Sequence, residues 1–306
     1  MPLMVLMLAT ASGCMPKDSA RAKCVDGLLR SSAELEHGIA VFNDNDGTIG
    51  QRANGLTAQY RLLSHGELSA ASLSKPITAS LVREHVENAT WSLDSRLADL
   101  LPTVKLDAAH AEIRLRQLLQ HSAGFDRHIS GDPLWRSDGV SAPYPDCASA
   151  ADLVLKAPLD YAPGQQAAYS NAGYCVLGRL LLMHAEELSA TDLAMLRAPL
   201  GAAGGWTSTP VQLHTRLFKT LPLRHIDPEV ALADGSHYDF GWRHRPSSDG
   251  RPYWTHFGRL PGRITIAVSD GKDNLLVAYF DGDPVDVDKT SELLAKTAWQ
   301  CIDSSD

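Results

Sequence analysis

The chain has 306 residues, 44% hydrophobic and 21% charged, with a formal net charge of −8. That composition excludes a disordered chain, and the acidic balance lacks the basic excess a nucleic-acid binder uses to displace phosphate counterions. No nucleic-acid partner is expected, and the length allows two ordinary domains or one large one.

Residues 1–13 carry no charged side chain, and Leu3 to Ala9 is continuously apolar. The small residues Ala11-Ser12-Gly13 then precede Cys14, which reads as an export signal over residues 1–14. Small residues before a Cys also resemble a bacterial lipoprotein signal. The expectation is a periplasmic or outer-membrane protein tethered to the membrane through a lipidated Cys14. Beyond this segment no apolar run approaches the length of a membrane span. With Cys14 set aside, Cys24, Cys147, Cys175 and Cys301 remain, and four cysteines allow three disulfide connectivities. No C-x-x-C suggests zinc or redox chemistry.

Residues 19–35 carry apolar positions at helical spacing, and 38–42 form a short apolar strand leading into a turn-rich Asn43-Asp44-Asn45-Asp46-Gly47. Helices are expected over 72–88, 113–121 and 174–188. The stretch 122–168, punctuated by Pro133, Pro143, Pro145, Pro158 and Pro163, reads as loop. Strands are expected over 263–268 and 275–280 around the Asp270-Gly271 turn, then an amphipathic helix over 288–302. The order predicts an α+β fold with one antiparallel sheet built from both ends. Residues 20–71 and 236–303 would form a discontinuous sheet domain and 72–235 an inserted helical domain.

There is no G-x-S-x-G, Walker A, G-x-G-x-x-G or H-E-x-x-H motif, and no pair of histidines four residues apart. Neither a metal nor a cofactor is expected. The S-x-x-K of Ser72-Leu73-Ser74-Lys75 is weak by itself, but Pro76 follows directly. Proline is tolerated in a helix's first turn, so the helix should start near Ser72, with free N–H groups able to hold an oxyanion. Ser72 and Lys75, three apart, share a face, and a Lys of lowered pKa can take a Ser proton. Tyr169-Ser170-Asn171 opens a second helix, and His256-Phe257-Gly258-Arg259 enters the C-terminal strands. A serine hydrolase needs a second proton shuttle, an amide and a strand edge, and these pieces follow in that order.

In these motifs the chain resembles the serine β-lactamase and penicillin-binding superfamily, in the branch of class C β-lactamases, D-alanyl-D-alanine carboxypeptidases and related esterases. The segments carrying the resemblance include Leu68–Thr78, Trp91–Asp94, Ile113–Phe125, Ala162–Tyr174 and Tyr238–Trp242. It implies a β-lactamase/transpeptidase-like fold and an acyl-enzyme on Ser72, with Lys75 as general base and Tyr169 as proton shuttle. Asn171 would hold Lys75 and the substrate amide, and His256 would shape the local potential. The N–H groups of Ser72 and Arg259 would form the oxyanion hole, beside Gly258. Expected substrates are D-Ala-terminated peptides, β-lactams or small esters or amides, with peptidoglycan a candidate partner. The alternative is a weakly catalytic member that binds peptide or peptidoglycan without turnover. The first and last helices of this fold lie side by side, which implies Cys24–Cys301 and leaves Cys147–Cys175. Phe257 departs from the pattern, standing where relatives carry a hydroxyl that binds a substrate carboxylate. The expectation is poor handling of carboxylate-bearing β-lactams. Only 84 residues separate Asn171 from His256, implying a more open pocket than in relatives.

Overall fold

The computed structural model describes residues 19–303 except 45, 135–145, 224 and 246–252. The proposed signal and Cys14 lie outside the described residues. The chain begins with α1 (Ala20–Leu28), β1 (His37–Asn43), β2 (Ile49–Asn54), α2 (Leu56–Leu63) and β3 (Leu68–Ser69). A 3₁₀ turn over Ala71–Leu73 leads into α3 (Ser74–Glu87). The helical middle continues with α4 (Leu97–Leu100), α5 (Ala108–Ala111), α6 (Leu115–Leu119), α7 (Cys147–Val154) and α8 (Asn171–Leu182). Then come α9 (Ala190–Leu196), α10 (Gly201–Gly204), β4 (Thr207–Ser208) and α11 (Pro210–Phe218). The last elements are β5 (His237–Asp239), β6 (Trp242–Arg245), β7 (Tyr253–Leu260), β8 (Arg263–Ser269), β9 (Leu275–Asp281) and α12 (Val287–Asp303).

Among the described residues, seven strands form one antiparallel sheet in the order β2-β1-β9-β8-β7-β6-β5. The expected antiparallel sheet built from both chain ends is therefore observed. Alternation along β8 divides its side chains between two cores. Ile264, Ile266 and Val268 join Val25, Leu28 and Leu294 beneath α1 and α12, while Ala267 joins the core shared with the helical middle. α1 and α12 are cross-linked by Cys24–Cys301, with Cα atoms 5.4 Å apart. Arg21 Nη2 also donates to the Ile302 carbonyl at 2.8 Å. Cys147–Cys175 joins α7 to α8, so both expected pairings are formed.

Two sequence expectations are corrected. The first helix stops at Leu28 rather than running to residue 35, because the Ser31 hydroxyl donates to the Leu28 carbonyl at 2.7 Å and turns the chain. The stretch 122–168 contains α7, started by Asp146 accepting from the Ser149 N–H at 2.7 Å. Proline punctuation hid this Ala-rich helix.

Candidate active site

β6 pairs with β7 only at residues 253–255, so the later part of β7 has no strand neighbour on that side among the described residues. A cleft of about 350 Å³ opens there, between β7 and the helical middle. This lies at the small end of the roughly 300–1,000 Å³ range of small-molecule sites. Ser72, Tyr169, Asn171, His256, Gly258 and Arg259 line it.

Ser72 lies on the 3₁₀ turn ahead of α3, after Ala71, whose φ of 50° is a conformation L-residues seldom adopt. Gly258 allows this turn to approach β7. A Cβ there would lie 2.8 Å from the Ala70 carbonyl and 3.0 Å from Ala71 Cβ. The Thr265 hydroxyl, donating to the Ala70 carbonyl at 3.0 Å, ties the turn to β8.

Lys75, in the first turn of α3, is fully buried. Its Nζ lies 3.2 Å from Ser72 Oγ, 2.6 Å from Asn171 Oδ1 and 2.7 Å from the Ala203 carbonyl. Burial brings its pKa down to about 7; Asp132 acts upward and Arg127 downward. A neutral amine has two hydrogens and one lone pair. With the hydrogens on Asn171 and Ala203, the lone pair faces the Ser72 hydroxyl.

Asp132 was not singled out in the sequence. Its Oδ2 accepts from Asn171 Nδ2 at 2.8 Å, and its Oδ1 accepts from the Leu134 N–H at 2.9 Å. A carboxylate only accepts, so it fixes the Asn171 amide with the carbonyl toward Lys75.

Tyr169 is held from both sides by His121, whose carbonyl accepts the Ala168 N–H at 2.9 Å and whose Nδ1 accepts the Ser170 N–H at 3.2 Å. The His121 and Tyr169 ring centroids are 4.6 Å apart. Burial holds the Tyr169 hydroxyl far above its ordinary pKa, with Tyr238 pushing the same way and a hydrogen bond to Ser72 opposing. Tyr169 therefore stays a neutral phenol, able to donate a proton. His256 is buried, and burial, then Lys75, push its pKa well below the ordinary histidine range. It contributes a neutral imidazole rather than a cation.

Phe257 lines the same cleft as Ser72. It packs with the cluster beneath α12, and the Arg245 guanidinium lies 5.4 Å from its ring centroid. Alternation along β7 sends His256 and Phe257 to opposite faces, and Phe257 lines the cleft where α12 contributes Val287, Asp288 and Ser291. Arg259 is exposed at the rim, and Arg127 stands over the Tyr169 ring at 5.2 Å.

The Beta-lactamase family profile matches residues 69–187. Penicillin-binding protein 4 of Amycolatopsis lactamdurans is 30% identical over 242 residues, covering 76% of this chain and 56% of that protein. A putative fimbrial assembly protein FimD of Dichelobacter nodosus is 35% identical over 135 residues, 44% of this chain. The chain thus spans about a third of the fimbrial protein (31%) and just over half of the penicillin-binding protein (56%). The solved β-lactamase/D-alanine carboxypeptidase from Yersinia pestis superposes with a TM-score of 0.69 at 18% identity, covering 92% of this chain and 98% of that one. The D-amino acid amidase from Ochrobactrum anthropi superposes with a TM-score of 0.66 at 16% identity, covering 93% and 98%.

Proposed function

From the premise that this chain belongs to the serine β-lactamase and penicillin-binding superfamily, we propose that it is a serine hydrolase working through an acyl-enzyme on Ser72. The observation that carries the reading is the buried Lys75 amine, 3.2 Å from Ser72 Oγ and brought to a pKa of about 7. A base of that pKa is deprotonated in useful amount near neutral pH.

Lys75 takes the Ser72 proton as Oγ bonds to the substrate carbonyl carbon. The N–H groups of Ser72 and Arg259 receive the oxyanion. Tyr169, a neutral phenol, hands its proton to the departing nitrogen or oxygen and recovers one from Lys75. Water then attacks the Ser72 ester and gives up a proton to the same groups, which return it to Ser72 Oγ as the acyl carbon–Oγ bond breaks and the acid leaves. Asn171, oriented by Asp132, holds Lys75 and offers its amide to the substrate. The substrates are D-Ala-terminated peptides, β-lactams or small esters or amides.

A screen with a chromogenic cephalosporin, a short-chain aryl ester and a D-Ala-D-Ala peptide tests the reading. At least one should turn over, and Ser72→Ala should abolish that turnover. Binding of a penicillin without turnover of any of the three would instead identify a binding protein. Export belongs to the same proposal. Two disulfides among the described residues favour an oxidising compartment, and lipid on Cys14 would be read by mass spectrometry of the membrane fraction.

A further inference from the structure

At the outer edge of the sheet, away from Ser72, His225, His237 and Asp239 bring two imidazole nitrogens and a carboxylate oxygen within 4.8 Å of one another. The Asp239 carboxylate is fully buried, on the edge strand β5. Its Oδ1 is occupied by the Ile226 N–H at 3.0 Å. Both imidazoles converge on the other oxygen: His225 Nδ1 is 3.0 Å and His237 Nε2 3.2 Å from Oδ2. His237 Nε2 is buried and makes no hydrogen bond among the described residues, although Oδ2 is that close, so the nitrogen is not aligned to donate a proton to it. His225 Nδ1 is hydrogen-bonded to Oδ2, which leaves the buried His237 Nε2 as the donor atom without a partner at this point.

We infer that His225, His237 and Asp239 form a binding site for a divalent transition-metal ion of the zinc class. Two imidazoles and one carboxylate are a zinc ligand set. Ligands about 2.0–2.1 Å from a tetrahedral ion stand about 3.3 Å from one another. The observed 3.0 and 3.2 Å to Oδ2 are close to that, and the two imidazole nitrogens lie within 4.8 Å of each other. The His225 side chain is 51% exposed, so an ion enters from solvent and keeps a water in the fourth position. Asp227, 3.5 Å from His225 Nε2, adds negative charge at the entrance. His244 borders the site, its ring centroid 4.9 Å from that of His237. Sequence spacing gives no hint of this site, because the ligands come from a loop and from alternate positions of a strand.

The ion would pin the 225–227 loop to β5. Between the two β5 ligands sits Tyr238, whose ring reaches the cleft and lies 4.5 Å from His121. The role is to fix that wall of the cleft; no chemical step passes through the metal.

Chelator-treated full chain, titrated with cobalt(II) as a spectroscopic stand-in for zinc, tests this. The expected result is one cobalt per chain, with the strong visible absorption of a four-coordinate site, and a rise in Tm on zinc addition. His225→Ala removes a half-exposed ligand, so the variant should fold, as circular dichroism would verify. It should lose at least 10- to 100-fold in affinity, the size of effect seen when a mere outer-shell partner is removed. His184→Ala, in the separate exposed group His184–Glu186–Glu187, should leave cobalt binding unchanged. Absence of saturable binding, or binding that survives His225→Ala, overturns the proposal.

Discussion

The Ser74 hydroxyl accepts the Trp206 backbone N–H at 2.9 Å, in a fully buried position two residues from the half-buried Ser72. The two serines therefore predict different mutants. Ser72→Ala should lower turnover by about 10³ or more and leave Tm unchanged. Ser74→Ala leaves a buried N–H without its partner and should cost about 1–3 kcal/mol of stability. Peptide mapping after penicillin or organophosphonate labelling should place the adduct on Ser72. An adduct on Ser74 or Ser170 overturns the assignment.

The pH dependence follows from the charges around Lys75. In the proposed mechanism activity requires the neutral amine, so kcat/KM should rise with pH through about 7. Asp132 favours the protonated form, so Asp132→Asn should move this limb to lower pH. Arg127 disfavours it, so Arg127→Gln should move the limb to higher pH. Shifts of opposite sign in the kcat/KM profiles check the assignment. If neither variant moves the limb, another group titrates there.

Phe257 carries a prediction opposite to the sequence expectation. Its ring packs beneath α12 beside Arg245, on the far face of β7 from His256. Phe257→Thr should therefore leave the ratio of kcat/KM for a carboxylated cephalosporin and a neutral aryl ester within about twofold of wild type. It should instead cost stability, about 1–2 kcal/mol for a ring that is only partly buried. A larger change in the ratio would return Phe257 to the substrate-facing role.

The disulfide between α1 and α12 closes nearly the whole chain, across a sequence separation of 277. Replacing Cys24 and Cys301 together by Ala should cost about 3–5 kcal/mol in the chain-entropy view. Turnover at 25 °C should be retained, because neither cysteine lines the cleft and Cys301 lies about three helical turns along α12 from Ser291, which does. Denaturant midpoints with unchanged kcat would verify both halves.

What the sequence disclosed follows from how local the signal is. The Ser72–Lys75 spacing alone was not decisive. The same spacing recurs at Ser269–Lys272, where Ser269 merely accepts the Gly271 N–H at 2.9 Å in the β8–β9 turn. The order of several short motifs separated the two. Asp132 and His121 act by reaching across the fold to Asn171 and to the backbone around Tyr169. No periodicity or spacing in one segment encodes such reach. Motif analogy places Phe257 at the cleft, and strand alternation adds that it stands on the opposite face of β7 from His256.

The sheet order also governs when this protein can fold. β1 sits between β2 and β9, and Gly38 is paired with Phe280, a contact closed across about 240 residues. Chain emerging from a ribosome can form the β1–β2 hairpin, but the apolar faces of β1 stay uncovered until β9 and α12 arrive. Such a topology folds late and slowly, and its early strands stay exposed to wrong partners in the meantime. Truncation that removes α12, or β9 together with α12, should therefore yield an aggregating chain rather than a smaller folded protein.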